Sequence, residues 1–177
     1  GALSYQWQLN SVDISGATNS TYIATTSGDY TVTVTGSGGC TSTSSIFTIT
    51  VNAAPTVSIT GVNYACSGNS QTLSANATAG SGSIAGYQWQ ENNVDISGET
   101  NSTYSANAAG SYTVIVYNSN GCSTTSAAFN FTIANNPTVD IQGNASICSG
   151  NPSLLTANAT AGSGSIIGYQ WQESNID

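Results

Sequence analysis

Apolar and polar residues alternate along much of this chain. Residues 30–35 (YTVTVT) and 47–51 (FTITV) carry an apolar side chain at every second position. A period of two predicts β-strands with one face buried and one face in solvent, because a helix would repeat its apolar positions every three or four residues. The abundant Thr, Ser, Asn and Gly also disfavour helices. We therefore expect an all-β protein in which polar turns separate short strands.

An internal repeat organises these strands. The tetrapeptide Tyr-Gln-Trp-Gln begins at Tyr5, Tyr87 and Tyr169, so successive copies lie 82 residues apart (87 − 5 = 82 and 169 − 87 = 82). The segment 75–84 returns unchanged at 157–166, in the same register. Self-similarity at a long fixed period is typical of tandem copies of one domain. Near-identity even in loop positions indicates a recent duplication.

The boundaries between repeats are predicted from a short linker, Asn-Ala-Ala at residues 52–54. If a repeat begins at Pro55, residues 55–136 form one complete immunoglobulin-like repeat. Residues 1–54 are then the C-terminal part of one repeat, and residues 137–177 are the N-terminal part of the next. We expect the chain to be a window of a longer protein that contains more copies.

The complete repeat is predicted to contain seven strands. Seven short strands, with a Trp on the third and a Tyr opening the sixth, are typical of an immunoglobulin-like β-sandwich. The predicted fold is therefore a tandem array of such sandwiches with an 82-residue period. The predicted strands lie near residues 56–60, 70–77, 86–91, 93–96, 102–106, 111–118 and 123–134.

Aromatic residues at matching repeat positions are the predicted core. Period two places Trp89 on the buried face of its strand with Tyr87, whereas Gln88 and Gln90 should point to solvent. Tyr112 should be the tyrosine-corner residue of the repeat. The full set of predicted core residues is Trp7, Trp89, Trp171, Tyr30 and Tyr112.

The charged residues of the chain exclude most catalytic chemistry and several classes of binding partner. The chain has 8 acidic residues and no lysine, arginine or histidine, which gives a net charge of −8. Such a surface repels nucleic acids and anionic lipids. Without imidazole or amine groups, the Ser-His-Asp triad, Schiff-base lysines and histidine-bound zinc cannot be built. We expect no cofactor and no nucleic-acid partner, and no apolar run approaches the roughly 20 residues needed for membrane insertion.

Two sets of acidic residues are candidates for a functional site, one for catalysis and one for metal binding. Glu91 and Glu99 could act as a glycosidase pair, but their counterparts one repeat earlier are Leu9 and Ala17, so we predict no enzyme.

The repeat position shared by Asp13, Asp95 and Asp177 could hold calcium. One Asp per repeat is too sparse for the six to eight oxygen ligands that calcium takes, so a turn is the favoured interpretation and no metal site is predicted.

Four cysteines, two per period, are candidates for disulfides in an oxidising exterior. They lack the Cys-x-x-Cys spacing of a zinc knuckle. Two pairings stay open: Cys66 with Cys122 inside the complete repeat, or a bridge between consecutive repeats. The candidates are Cys40, Cys66, Cys122 and Cys148.

Two tyrosines are candidate glycan contacts. Tyr64 and Tyr117 have no aromatic counterpart one repeat away, where Ser146 and Thr35 stand. We therefore expect them on the surface, where an aromatic ring can stack on a sugar.

Three segments resemble a known type of repeat: residues 89–104 (WQENNVDISGETNSTY), 110–114 (GSYTV) and 120–122 (NGC). They are similar to the Ig-like and PKD-like repeats of large secreted adhesins from gliding, Bacteroidota-type bacteria, and the resemblance covers the whole chain. It implies export, display at the cell surface and a spacer or adhesive role, with neighbouring repeats of the same chain as the first partners.

The leading hypothesis is a stalk or shaft of a secreted bacterial surface adhesin or extracellular filament. The alternative is a carbohydrate-binding or spacer module of a secreted polysaccharide-active protein, with surface glycans as partners. A further possibility is self-assembly, in which a partial domain of one chain completes its sandwich with strands from another copy.

Overall fold

The computed structural model of the chain describes residues 3–173. These residues form sixteen β-strands and no helix, which confirms the predicted all-β class. No segment in this range could cross a membrane as a helix. The chain divides into two compact units, Gly1–Ala53 and Ala54–Asp177, so the second unit combines the complete repeat with the partial repeat after it.

The first unit is a single antiparallel sheet. Its strands are β1 (Ser4–Leu9), β2 (Val12–Asp13), β3 (Gly28–Thr35), β4 (Thr41–Thr43) and β5 (Phe47–Ile49). The strand order is β2–β1–β3–β4, and β5 pairs with the beginning of β3. Tyr30 is buried and Trp7 is half-buried, whereas Phe47 is exposed, because no second sheet covers this face within the described residues of the unit.

The complete repeat is a sandwich of two sheets. Its strands are β6 (Thr56–Thr60), β7 (Tyr64–Cys66), β8 (Gln71–Thr78), β9 (Ile84–Glu91), β10 (Val94–Asp95), β11 (Thr103–Ala106), β12 (Gly110–Asn118), β13 (Ser123–Thr125) and β14 (Phe129–Ala134). One sheet has the order β11–β8–β6, and the other has the order β10–β9–β12–β14–β7 with β13 also paired to β12. The pairings are antiparallel except that β7 runs parallel to β14. This is an immunoglobulin-like arrangement, in which the chain enters through one sheet and then crosses to the other.

Each of the seven predicted strands has a counterpart in the complete repeat, with two differences. The predicted strand at 123–134 is split into β13 and β14, because the Ser126 hydroxyl accepts the Val114 N–H bond at 3.1 Å and interrupts the regular ladder. Strand β7 was not predicted. Its three residues are too few to show a periodic pattern, and its partner β14 lies far away in the sequence.

The core lies between the two sheets of the complete repeat. Leu73 from β8 packs with Trp89, Tyr112 and Phe131 from the facing sheet, and all four are buried. Removing a large apolar side chain from water contributes about 1.5–3 kcal/mol. Ala65, Ala75, Ala106 and Val114 complete the buried cluster. The alternation read from the sequence thus positions the core side chains of this repeat.

The partial repeat after residue 136 has less structure. It forms one hairpin-like pair of strands, β15 (Thr138–Gln142) and β16 (Thr156–Thr160). The expectation that Trp171 is a core residue is wrong, since its side chain is 48% exposed. The physical reason is that β11, β12 and β14, which contribute to the buried cluster around Trp89 in the complete repeat, have no counterparts in residues 137–173.

Candidate functional site

A column of aromatic rings runs through the complete repeat. The ring centroids of Trp89 and Tyr104 are 5.7 Å apart, those of Tyr104 and Tyr112 are 5.5 Å apart, and Phe131 meets Tyr112 edge-on at 6.2 Å. Such pairs stabilise a core beyond their buried area, by about 0.5–1.5 kcal/mol each. The sequence interpretation placed Trp89 and Tyr112 in the core but missed Tyr104. Recurrence of an aromatic residue at this repeat position, as Tyr22 and Tyr104, was the signal that could have found it.

The first unit contains the same column in shorter form. Trp7 and Tyr22 have ring centroids 5.9 Å apart, and Tyr22 and Tyr30 are 6.0 Å apart. The repeat therefore reproduces ring contacts as well as strands. Ile49 takes the position of Phe131, so the column in the first unit lacks its last ring.

The polar atoms of these rings are hydrogen-bonded to backbone carbonyls. The Trp89 indole N–H donates to the Asn101 carbonyl at 2.9 Å, and the Trp7 indole repeats this bond to Asn19 at 3.0 Å. The Tyr112 hydroxyl donates to the Ala108 carbonyl, four residues upstream, at 2.9 Å. This is the tyrosine-corner geometry. Each ring is thus fixed at both its apolar and its polar end.

Two tyrosines in the column resist ionisation. Burial raises the pKa of Tyr112 to about 12, and the negative charge of Glu91 adds to the effect. Burial also raises the pKa of Tyr104, with smaller contributions from Glu91 and Glu99. Both hydroxyls therefore stay neutral far above physiological pH. A neutral, hydrogen-bonded ring is a structural element rather than an acid–base group.

The two glutamines of the repeated tetrapeptide differ from expectation. Gln88 and Gln90 were expected to point to solvent, but both are half-buried. The Gln88 amide donates to the Ile96 carbonyl at 2.8 Å, and the Gln90 amide donates to the Asp95 carboxylate at 2.7 Å. They close the hairpin between β9 and β10. A side chain on the solvent face of a strand is still buried when a neighbouring hairpin folds over it.

The acidic residues that the structure describes do not form a cluster that could bind a metal ion. Among the described residues, no group of three acidic, cysteine or histidine side chains could hold a metal ion. Asp95 and Asp13 instead accept hydrogen bonds from Gln90 and Gln8 in equivalent turns, both at 2.7 Å. Asp177, the third member of the predicted set, lies outside the described residues.

The cysteines lie at opposite ends of the repeat. None of the four forms a disulfide bond in the structure. Cys66 lies beside Ala134, at the end of β14, whereas Cys122 precedes the start of β13. The stretch of extended chain between residues 123 and 134 spans about 35 Å, far beyond the roughly 7 Å between Cα atoms that a bridge tolerates. The pairing of Cys66 with Cys122 is therefore wrong, and a bridge between consecutive repeats stays a prediction.

The two candidate glycan contacts are both exposed but do not form one site. Tyr64 pairs with Thr132 and Tyr117 pairs with Ser123. Since Ser123 and Thr132 are nine residues apart along one edge, the two rings lie about 30 Å from each other. A single sugar ring cannot contact both.

The junction after the complete repeat is a site that the sequence did not reveal. The Asn135 N–H donates to the Ser163 hydroxyl at 2.9 Å, and the Ser163 N–H donates back to the Asn135 carbonyl at 3.1 Å. The Asn136 amide donates to the Ser67 carbonyl at 3.0 Å. Linker residues are thus hydrogen-bonded to both the complete repeat and the partial repeat. The sequence offered no signal here beyond a polar linker.

Gly162 lets the two backbones approach at this junction. A Cβ atom at Gly162 would collide with the carbonyl oxygens of Asn135 and Asn136. Its φ of +66° also lies in the region that favours glycine. The close approach depends on a residue without a side chain.

Comparisons with known proteins identify no family. No protein-family model matches the chain, and no curated protein matches it. Among solved structures, the chain is similar to the fibronectin(III)-like modules of Clostridium thermocellum CbhA, with 15% identity over 73% of this chain and 78% of that one and a TM-score of 0.40. It is also similar to extracellular domains 3–5 of Drosophila OTK, with 14% identity over 82% of this chain and 58% of that one and a TM-score of 0.34.

Proposed function

We propose that this chain is a structural segment of a stalk or shaft in a secreted bacterial surface adhesin or extracellular filament. The observation that carries the proposal is the junction at Asn135 and Asn136, where linker groups are hydrogen-bonded to both neighbouring repeats. A linker fixed on both sides limits bending, which is what a spacer must do. The proposed role of the chain is therefore mechanical.

The path of the chain through a repeat supports the same proposal. Thr56 pairs with Thr78 at one end of the sandwich, whereas Ala134 lies beside Cys66 at the other end. The nine residues of β12 span about 30 Å between these ends. Repeats that enter at one end and leave at the other extend an array by about that length each.

The surface chemistry fits a solvated spacer. The net charge is −8 and no lysine or arginine is present, so no side-chain ion pair can form between repeats or between chains. Like charges keep neighbouring shafts apart at low salt. Stability has to come from burial and from backbone hydrogen bonds.

Small-angle X-ray scattering tests the stalk proposal. A compact globule of this length has a radius of gyration of about 16 Å. We expect a clearly larger value, extrapolated to zero concentration so that association does not contribute. The double variant Asn135→Gly, Asn136→Gly should broaden the distance distribution because it removes the Asn136 amide bond and loosens the backbone. A compact wild-type particle would overturn the proposal.

The alternative, a carbohydrate-binding module, is favoured by one observation, the exposure of Tyr64 and Tyr117 without aromatic counterparts in the other repeats. Because the two rings are far apart, Tyr64→Ala and Tyr117→Ala should each remove a separate contact. Binding on a glycan array that either substitution abolishes would support this function. Binding that survives both substitutions, or no binding, would exclude these tyrosines as its basis.

A further inference from the structure

Cys66 lies at the end of the complete repeat where the chain leaves it. Its partner in the parallel pairing of β7 with β14 is Ala134, the last residue of β14. The residue after it, Ser67, donates its N–H to the Ala134 carbonyl at 2.8 Å. Because Cys66 is exposed, its thiol is accessible at the end of the repeat that continues into the following linker.

The following repeat places a loop against this end. Residues 161–166 form this junction loop, and Ser163 within it exchanges two hydrogen bonds with Asn135, at 2.9 and 3.1 Å. The next linker residue, Asn136, donates its amide to the Ser67 carbonyl at 3.0 Å. Two hydrogen-bonded linker residues therefore connect the junction loop to the segment that carries the cysteine of β7.

The complete repeat has the same loop at the end where the chain enters it, and there the loop contacts the hairpin that holds Cys122. Residues 79–84 are identical in sequence to the junction loop. The Asn118 amide donates to the Ala79 carbonyl at 3.0 Å, and the Ser119 N–H donates to a second carbonyl of this loop at 2.8 Å. The Asn118 side chain also accepts the Cys122 N–H bond at 2.9 Å. One side chain thus joins the loop to the cysteine.

These two sets of contacts bring two cysteines to one junction when one complete repeat follows another. The loop of the second repeat lies against the exit end of the first repeat and against its own hairpin. The cysteine of β7 in the first repeat and the cysteine before β13 in the second then lie beside the same loop. Within one repeat these two positions are separated by about 30 Å of sandwich. A disulfide bond tolerates Cα atoms up to about 7 Å apart, so the geometry favours the pairing across the junction.

We propose that, in successive complete repeats, the Cys66 thiol of one repeat forms a disulfide bond with the Cys122 thiol of the next. In the 82-residue register the two cysteines are 138 residues apart (122 + 82 − 66 = 138). The bond fixes the exit end of one repeat covalently to the entry end of the next, at a linker that hydrogen bonds already hold. The proposal rests on the order of repeats along the chain and does not depend on the stalk function.

The bond forms by thiol–disulfide exchange with a small-molecule disulfide such as oxidised glutathione. The Cys66 thiolate attacks one sulfur of the oxidant, which gives a mixed disulfide and releases one reduced thiol. The Cys122 thiolate of the next repeat then attacks the Cys66 sulfur and releases the second reduced thiol. The two cysteines lose two protons and two electrons, and the oxidant gains them. Such a bond persists in an oxidising exterior.

A chain with an internal duplication supplies two complete repeats in succession. Residues 55–136 are inserted a second time after Asn136, and the rest of the chain is unchanged. The new junction keeps its sequence, because the linker again ends in Asn135 and Asn136 and the loop that follows is again identical. Cys40→Ser and Cys148→Ser remove the cysteines outside the two complete repeats.

Three variants of this chain, each with two cysteines, separate the alternative pairings. Cys122→Ser in the first copy with Cys66→Ser in the second leaves the proposed pair. Cys66→Ser in the first copy with Cys122→Ser in the second has the same composition and mass but leaves the two outermost cysteines. Both substitutions in the second copy leave the pair within one repeat. Cys66 is exposed and Cys122 is half-buried, so serine at either position should leave the fold intact.

Each variant is equilibrated with oxidised and reduced glutathione, alkylated and digested with pepsin, since trypsin has no site in a chain without lysine or arginine. We expect the variant with the proposed pair to lose both thiols as a monomer, with the Cys66 and Cys122 peptides linked to each other. The other two variants should form no such link. Hydrogen exchange of the β12 amides in reductant verifies that the three variants are folded alike. An unlinked proposed pair, or equal linkage in the variant of identical composition, would overturn the proposal.

Discussion

At the scale of single residues, the aromatic column sets the stability of the complete repeat. Trp89 is buried among side chains from both sheets, and its indole N–H is bonded to a carbonyl of the segment that leads into β11. Tyr112 is held in the same way at its hydroxyl. A side chain whose ring is packed and whose polar atom is hydrogen-bonded has few alternative positions. These residues therefore connect the local strand pattern to the packing of the whole sandwich.

Trp89→Ala should destabilise the complete repeat by about 3–5 kcal/mol, because it removes a large buried side chain and leaves a cavity. Hydrogen exchange of the β12 amides measures this change, since these amides open only when the sandwich opens. Trp171→Ala is the matched control, because its side chain is half exposed and should leave the exchange unchanged. Equal effects of the two substitutions would contradict the assignment of the core.

Stability should fall as the pH rises from about 10 to about 12. Tyr112 ionises in the unfolded chain near its ordinary pKa of about 10, but in the folded repeat its pKa is raised to about 12. The folded state therefore keeps a proton that the unfolded state loses, so stability is intact below pH 10 and declines above it. Denaturant unfolding across this range measures the slope of the free energy of unfolding against pH. Tyr112→Phe should flatten it, with Tyr104 responsible for the remainder, and an unchanged slope would be inconsistent with a buried neutral Tyr112.

At the scale of elements, nearly identical sequences do not give identical structures in this chain. Residues 21–24 (TYIA) and 103–106 (TYSA) differ at one position, yet only the second forms a strand. The difference lies in the partner, because β8 is present beside β11 and has no counterpart in the first unit. Alternation could therefore predict the strands of the complete repeat. It could not predict β7 or the unpaired segments, since these depend on strands distant in sequence.

The candidate functional site could likewise be predicted only in part from the sequence. Trp89 and Tyr112 were predictable because periodicity and a Trp-to-Tyr spacing mark a buried face. The Asn136–Ser67 bond at the junction was not, because it joins residues 69 positions apart through a side chain and a backbone carbonyl that carry no pattern. Contacts that depend on the completed fold leave no local signature in the sequence.

The hairpin between β9 and β10 offers a test at this scale. Asn92 and Asn93 both have positive φ, at 51° and 66°, as a tight two-residue hairpin turn requires. The Asn92 side chain also accepts the Ser111 N–H bond at 3.1 Å and so fixes the hairpin to β12. Asn92→Ala should cost about 1–3 kcal/mol through backbone strain and the lost bond.

Two variants separate these causes by thermal or denaturant unfolding. Asn92→Gly keeps the positive φ and loses only the hydrogen bond, so it should cost less than Asn92→Ala. Asn93→Gly keeps the backbone conformation and removes no side-chain hydrogen bond, so it should be neutral or stabilising. If Asn93→Gly were as damaging as Asn92→Ala, the turn geometry would not be the cause.

At the scale of the whole molecule, the proposed stalk depends on how repeats are joined rather than on any one repeat. The second unit keeps the complete repeat and the following partial repeat together, and the linker between them is bonded on both sides. The same fold that buries an apolar face in a complete repeat leaves it open in a partial one.

Gly162→Ala tests the junction directly. The added Cβ atom would meet two backbone carbonyl oxygens, which cannot move aside as a flexible side chain can, and it would sit at a positive φ. Gly164→Ala is the matched control, because Gly164 lies in the same loop with a φ of +97° but has open space around its Cβ position. Both substitutions strain the backbone, but only the first pushes the linker away. We expect faster hydrogen exchange at the amides of Asn135 and Ser163 in Gly162→Ala than in Gly164→Ala, while the β12 amides exchange alike in both. Equal exchange at the junction in the two variants would mean that contact across the linker does not hold the repeats together, and the stalk proposal would lose its main support.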